Sequence, residues 1–168
     1  FGIDENTAMW VNPQDGTMQV IGEGGVTILD VSDAKRKEIK RQYAYNNIIV
    51  NYLTFEDIYH FDTKEITLNV RKRKTTGREY FHIEKASRTG IFTTYSSFSS
   101  LISYKLIDNA EAKQVKTYLV GENQNGFEVL LRKTEKTQGF WTNEPDRSDH
   151  YSALHVLMDI TPVKIQIT

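Results

Sequence analysis

The sequence contains no cysteine and only three prolines. The absence of cysteine excludes disulfides, zinc sites built on thiolates and a cysteine nucleophile, but it does not fix the compartment in which the protein works. Histidine is scarce as well. On a regular strand His155 and Asp159 would lie about 13 Å apart, too far to share one metal ion. We therefore expect no metal and no other cofactor, and leave the localisation open.

The chain also lacks an excess of either charge and any long hydrophobic run. Its 21 basic and 22 acidic residues give a net charge of -1, so no positive field favours nucleic acid or an anionic membrane. The longest apolar runs, at 47–50 and 153–158, are far shorter than the roughly 20 residues of a membrane-spanning helix. A length of 168 residues fits one domain, or part of one with a small companion.

Nine tyrosines, eight phenylalanines and many β-branched residues favour strands. Alternating apolar residues on either side of the turn-forming Asn12–Gly16 predict a hairpin of strands 7–11 and 17–21, and a third strand follows the glycines of 22–25. Residues 32–41 are typical of a short charged helix with a solvated face, and the spacing of apolar residues predicts a helix over 96–107. Further strands are predicted at 47–53, 79–84, 115–120, 127–133, 153–159 and 163–167.

One segment resembles a known family. Residues 2–8 read GIDENTA, a hairpin follows, and residues 20–30 read VIGEGGVTILD. This is similar to the end of the cyanophycinase-like serine peptidases, which include the dipeptidase E enzymes and show G-[IL]-D-E-x-T-A, a hairpin and V-I-G-x-G-x-V-x-V-x-D. The similarity continues more loosely through 47–53 and 59–62, so that it spans residues 1–68.

The resemblance implies a fold and a division of the chain. The parent peptidase domain would be a three-layer α/β domain of the class I glutamine amidotransferase-like type, and residues 1–68 would be its C-terminal segment. The chain itself is expected to be a β-rich α+β structure, in which residues 69–168 form an appended mainly-β module of unknown role.

The resemblance also implies a catalytic arrangement that this chain contains only in part. The family's nucleophilic serine lies in a G-x-S-A-G elbow, which is absent here, and the serines of 96–100 lack the small flanking residues of such an elbow. We expect an upstream peptidase segment to carry both the serine and the histidine, and the chain alone to be inert. Glu5 matches the acid of a Ser-His-Glu triad, which would orient the histidine. Asp4, Asn6 and Thr7 are candidate substrate-binding residues, or alternatively fix the turn through backbone hydrogen bonds.

The implied activity is hydrolysis of aspartyl peptide bonds, in cyanophycin or in aspartyl peptides, by a protein that can form a homodimer. The alternative is a non-catalytic β-rich binding or interaction module on a degenerate peptidase scaffold. Tyr80–Phe81 and Phe140–Trp141 could then form an aromatic platform for sugar or peptide, although aromatic residues in strands more often lie in the core. The basic run Arg71–Lys74 is more typical of a solvated edge than of a partner site.

Overall fold

The computed structural model describes residues 1–83, 88–91, 97–121 and 124–164, with the backbone alone for 88–91. Strands dominate these residues, as the composition predicts. Their bounds are β1 (Gly2–Ile3), β2 (Thr7–Asn12), β3 (Thr17–Gly22), β4 (Gly25–Asp30), β5 (Lys35–Ile39), β6 (Gln42–Thr54), β7 (Ile58–His60), β8 (Ile66–Thr67), β9 (Arg73–Lys74), β10 (Arg88–Ile91), β11 (Gln114–Val120), β12 (Asn125–Arg132), β13 (Gln138–Thr142) and β14 (His150–Lys164).

Most strands belong to one large sheet in the order β1-β4-β6-β14-β12-β11-β10. In addition β5 pairs with β6, β13 pairs with β14, and β9 pairs with β13. The pairs are antiparallel except for β10 with β11. The long strands β6 and β14 form the centre of this sheet, where Val50 faces Val156. A second sheet of β2, β3, β7 and β8 contains the predicted N-terminal hairpin, which is confirmed.

A short helical segment covers part of the large sheet. The α-helix α1 (Phe98–Ile102) continues into a π-helical turn, α2 (Ser103–Ile107). The Ser97 hydroxyl accepts a hydrogen bond from the backbone N–H of Ser100 at 3.3 Å and so caps α1, a role typical of serine at a helix start. The predicted helix over 96–107 is confirmed for 98–107, and residue 96 lies outside the described residues.

The buried side chains form two hydrophobic clusters. The larger lies between the central strands and α1–α2, and the smaller lies between the two sheets. Burying one such aliphatic side chain stabilises the fold by roughly 1.5–3 kcal/mol. The larger cluster includes Val50, Tyr52, Leu101, Leu106, Leu131 and Val156, and the smaller one contains Met18, Val20, Val26, Ile28, Leu53 and Tyr59.

The three-layer α/β architecture implied by the resemblance is wrong for this structure. Within the described residues the chain forms a large, mainly antiparallel sheet with one short α-helix, and not a sheet sandwiched between helices. The prediction that the chain itself is β-rich is confirmed. Strand β6, from the first 68 residues, pairs with β14, from the last hundred, in one sheet. The proposed division at residue 68 stays a prediction.

The charged helix predicted over 32–41 is also wrong, because Lys35–Ile39 is strand β5. It forms a hairpin with β6 through Lys40 and Arg41, whose φ angles are +50° and +67°. Two positive φ angles are typical of the tight turns that match the twist of a hairpin. The side chains of β5 are mostly exposed, so the predicted solvated face is present on a strand.

Three predicted strands also need correction. The strands predicted at 153–159 and 163–167 form the single strand β14, which is described as far as Lys164. Over 79–83, the described part of the strand predicted at 79–84, only Phe81 makes a β-bridge, with Asn109. No helix in the described part of the chain is long and apolar enough to cross a membrane.

Candidate functional site

The segment that resembles the peptidase family forms a turn between β1 and β2, and Asp4 fixes this turn to the glycine loop before β4. The backbone N–H of Asp4 donates to the Gly25 carbonyl at 3.0 Å, and the Asp4 Oδ2 accepts from the Gly25 N–H at 3.1 Å. The same oxygen accepts from the Tyr52 hydroxyl at 2.7 Å. Asp4 therefore binds both backbone and side chain of neighbouring strands.

The glycines at this loop allow the close approach. A Cβ atom on Gly25 would lie 2.4 Å from the Tyr52 ring, and one on Gly24 would lie 2.7 Å from both the Asp4 Cβ and the Thr7 hydroxyl oxygen. Real Cβ atoms do not approach other atoms so closely. A larger residue would separate the loop from the turn.

Thr7 and Asn6 complete the turn. The Thr7 hydroxyl donates to the Glu5 carbonyl at 3.0 Å and accepts from the Gly24 N–H at 3.0 Å. Asn6 has a φ angle of +54°, a conformation that asparagine adopts more readily than most residues, and its amide contacts the Glu23 carboxylate at 3.4 Å. These contacts give Asp4, Asn6 and Thr7 a structural role. Their assignment to substrate stays a prediction.

Glu5 differs from its neighbours. Its side chain is exposed, and its carboxylate makes no hydrogen bond or ion pair with any residue that the structure describes. The histidines provide no partner: His60 contacts Thr67 at 3.2 Å and His150 contacts Asp146 at 3.0 Å. The turn thus holds Glu5 at the surface on a fixed backbone.

An exposed apolar face adjoins this turn. In the register of β2 with β3, Ala8 lies opposite Ile21 and Trp10 lies opposite Gln19, which places Ala8, Trp10 and Ile21 on the same face of the hairpin. Trp10 is 59% exposed and Ile21 is 44% exposed. The opposite face, with Met18 and Val20, is buried in the smaller core cluster.

A second constellation, which the sequence did not reveal, is a buried lysine and serine. The Lys72 Nζ donates to the Ser152 hydroxyl at 2.6 Å, to Thr54 at 2.8 Å and to the Asp57 carboxylate at 2.7 Å. Burial lowers the pKa of Lys72, while the Asp57 carboxylate partly offsets this effect. Lysine and serine at this distance are the residue types of a serine nucleophile with its base. However, the Lys72 side chain and Ser152 are fully buried, so no substrate reaches them and the cluster is structural.

The region beyond residue 69 contains a cleft of about 560 Å³. Its floor is a row of side chains across three strands, because Arg73 of β9 pairs with Trp141 of β13, and Trp141 pairs with Tyr151 of β14. Tyr80 and Phe81 form one wall. The volume lies within the roughly 300–1,000 Å³ that is typical of small-molecule pockets. Lining residues are Arg73, Lys74, Thr75, Arg78, Tyr80, Phe81, Asp108, Trp141, Asp149 and Tyr151.

Hydrogen bonds hold the aromatic and acidic groups of this cleft in place. The buried Asp108 accepts from the Tyr151 hydroxyl at 2.6 Å and from the Tyr80 N–H at 2.9 Å. Burial, reinforced by the Asp108 carboxylate, raises the pKa of Tyr151, so that its hydroxyl stays a donor. The Trp141 indole donates to the exposed Asp149 at 2.8 Å. Tyr151 and Trp141 of the floor are therefore both held by hydrogen bonds to carboxylates of the same cleft.

The aromatic residues predicted as a platform are only partly in the core. Tyr80 is 80% exposed, and its ring packs edge-to-face against Phe81 at 5.0 Å between centroids. Trp141 is half-buried in the cleft floor, whereas its neighbour Phe140 lies on the opposite face of β13 by strand alternation. The sequence pattern thus indicated Tyr80, Phe81 and Trp141 but missed Asp108 and the basic residues of the cleft. Arg73 belongs to the basic run that is more typical of a solvated edge, Arg78 belongs to no motif, and only the pairing of β9 with β13 places Arg73 beside Trp141.

No protein-family model matches the chain, and no solved structure matches it.

Proposed function

We propose that the chain is the C-terminal part of a cyanophycinase-like serine peptidase that hydrolyses aspartyl peptide bonds, with Glu5 as the acid of its triad. The observation that carries this proposal is the contrast between Asp4 and Glu5. Asp4 is bonded to Gly25 and Tyr52, while Glu5 is exposed on the same anchored turn with no partner among the described residues. A carboxylate on a fixed backbone is what a histidine needs for orientation and for stabilisation of its charged form.

In this proposal the serine and histidine come from another segment, upstream in the longer protein. The apolar face formed by Ala8, Trp10 and Ile21 gives that segment a surface to pack on, and it begins three residues from Glu5. The proposal concerns the chemistry at Glu5 and takes no support from the three-layer fold, which this chain does not have.

The test uses the longest natural protein that contains this chain. We expect it to contain a G-x-S-A-G element, to react at that serine with a fluorophosphonate probe, and to hydrolyse aspartyl dipeptides or cyanophycin. Glu5→Gln should then lower kcat by up to roughly 10⁴-fold, the scale seen when a triad carboxylate is replaced by its amide.

Three comparisons separate orientation of the histidine from a general effect on folding. Glu5→Asp should recover part of the activity, and Glu5→Gln should alter the pH profile of kcat as well as its size. The matched control is Glu38→Gln, an exposed carboxylate on β5, which should leave turnover unchanged. Normal turnover in Glu5→Gln, or the absence of the serine element, overturns the proposal.

The second candidate is a binding module on a scaffold without peptidase chemistry, and the aromatic cleft with its hydrogen-bonded floor favours it. A protein of this kind would bind a ligand at the cleft and leave it intact. Incubation of the same longer protein with aspartyl dipeptides separates the two candidates, since turnover supports the peptidase, and saturable binding without turnover or serine labelling supports the module.

A further inference from the structure

The described residues of the cleft include two arginines that its carboxylates do not contact. Arg73, Lys74 and Arg78 border it, and their side chains form no hydrogen bond or ion pair with any described residue. Its two carboxylates, Asp108 and Asp149, accept from neutral donors and not from these cations. By strand alternation the Lys74 side chain lies with Phe140 on the face opposite to the cleft floor, which leaves Arg73 and Arg78 as the cations of the cleft that have no partner among the described residues. A ligand with a carboxylate would provide the missing partner, since arginine binds carboxylates through two parallel hydrogen bonds.

The edge of β9 adds a second requirement for the ligand. The Thr75 N–H donates to the Gly139 carbonyl at 2.9 Å, which makes these two residues a hydrogen-bonded pair across β9 and β13. In an antiparallel ladder the next pair, Lys74 with Phe140, is then not hydrogen-bonded. The backbone N–H and C=O of Lys74 therefore point away from β13, at the open edge of the sheet beside the cleft.

An open strand edge binds an extended peptide through main-chain hydrogen bonds, whereas a sugar has no repeating backbone of N–H and C=O groups to pair with it. The aromatic rings of Tyr80 and Trp141 offer flat apolar surface to the side chains of such a peptide. The open strand edge, the aromatic rings and the unpaired arginines all lie at one cleft of about 560 Å³. This volume is enough for roughly two or three residues of a peptide.

We propose that this cleft binds a short acidic peptide. The carboxylates of the peptide bind Arg73 and Arg78, and its side chains pack on Tyr80 and Trp141. The backbone of the peptide pairs with Lys74 at the open edge of β9. The inference gives the second candidate function a ligand and is independent of Glu5. In a peptidase it describes an accessory peptide site, and in a non-catalytic module it describes the main one.

The experiment titrates the full chain with three probes and follows the fluorescence of Trp141. Trp10→Phe serves as the background, because Trp10 is the only other tryptophan. The probes are acetyl-Asp-Asp-Asp-amide, its uncharged isostere acetyl-Asn-Asn-Asn-amide, and trigalacturonate as an acidic sugar of similar length. We expect saturable binding of the aspartate peptide, at least about tenfold tighter than that of the asparagine peptide, and weaker binding as salt rises.

Replacement of both arginines (Arg73→Gln with Arg78→Gln) should weaken binding of the aspartate peptide at least about tenfold. The matched control is Lys37→Gln, which removes one exposed cation from β5 and should leave the affinity unchanged. Thermal unfolding shows whether the double variant is folded, and each single variant, Arg73→Gln or Arg78→Gln, should also bind measurably more weakly.

Several results would overturn the proposal. The absence of saturable binding, equal affinity for the aspartate and asparagine peptides, or unchanged affinity in the double variant would each do so. Tighter binding of trigalacturonate would also overturn it, while leaving a binding module in place. Glu5→Gln should bind the aspartate peptide as the unmodified chain does, so failure of the peptidase proposal and failure of this one are distinguished by separate measurements.

Discussion

The ammonium group of Lys72 lies 2.7 Å from the Asp57 carboxylate, and both side chains are fully buried. Asp57 also accepts hydrogen bonds from the backbone N–H groups of Thr54 and Asn69, and Lys72 donates a hydrogen bond to Ser152 on β14. The pair thus joins the loop after β6 to the segment before β9 and to the centre of the large sheet. Since a buried charge without its partner is strongly unfavourable, the fold depends on both members.

The first prediction concerns this pair. Asp57→Ala should lower the free energy of unfolding by about 3–5 kcal/mol, because it leaves the Lys72 ammonium buried without a counter-charge. Urea unfolding at pH 7 measures the change. The control is Glu56→Gln, which breaks the exposed ion pair with Arg71 at 2.9 Å and should cost at most about 1 kcal/mol. If both variants lowered the free energy of unfolding by the same amount, burial would not make the Asp57–Lys72 pair more important than the exposed pair.

The second prediction concerns alkaline pH and two buried tyrosines. Burial, reinforced by the carboxylates of Asp4 and Asp108, raises the pKa of Tyr52 and of Tyr151 above the ordinary value of 10.0. At pH values somewhat above 10, both tyrosines therefore keep their protons in the folded protein, whereas they lose them in the unfolded chain. Their contribution to stability is therefore fully present below pH 10 and falls as the pH rises further, by up to about 1.4 kcal/mol per pH unit for each tyrosine.

Urea unfolding of the unmodified chain and of the double variant Tyr52→Phe with Tyr151→Phe, between pH 8 and 11, checks this prediction. The double variant should lose less stability above pH 10. The lowered pKa of Lys72 acts in the opposite direction below 10.5, but it is present in both proteins and cancels from the comparison. Parallel stability curves above pH 10 would show that neither tyrosine contributes to the pH dependence.

The third prediction concerns acid pH. The hydroxyl and backbone N–H of Ser32, with help from Lys64, lower the pKa of Asp30 from 3.8 to about 2. The ionised carboxylate therefore stabilises the fold above pH 3.8, and this contribution is lost as the pH falls through about 2. Because Asp30 is partly exposed, we expect Asp30→Asn to lower the free energy of unfolding at pH 7 by only about 1 kcal/mol. A difference between the two proteins that is as large at pH 2 as at pH 7 would refute this assignment.

Local signals in the sequence predicted the N-terminal hairpin. The turn cluster of 12–16 and the alternating apolar residues on either side are neighbours in the sequence, so the pairing of β2 with β3 is predictable from this short segment alone. The hairpin of β5 and β6 has no such signal. Its turn, Lys40–Arg41, takes two positive φ angles without the Asn-Gly or Asp-Gly that usually mark this turn. A charged strand with few apolar residues therefore has the same sequence pattern as a short helix with a solvated face.

Long-range pairing limited the prediction of the fold and of the cleft. Strand β6 meets β14 about a hundred residues later, and no local pattern specifies that partner. The same holds for the row of Arg73, Trp141 and Tyr151, which comes from three separate strands. The sequence indicated Trp141 through the pair Phe140–Trp141, but nothing in it pointed to Tyr151, and Arg73 belongs to a basic run typical of a solvated edge.

The fourth prediction separates the two carboxylates of the candidate site. Asp4→Ala should lower the free energy of unfolding by about 2 kcal/mol, because it leaves the buried Tyr52 hydroxyl and the Gly25 N–H without their acceptor. Glu5→Ala should change it by less than about 0.5 kcal/mol, since the exposed Glu5 side chain has no partner among the described residues. Urea unfolding of both variants at pH 7 measures the difference. A loss in Glu5→Ala as large as that in Asp4→Ala would give Glu5 a structural role and remove the main reason to assign it to chemistry, whereas a stable Glu5→Ala protein keeps that residue available to orient a histidine.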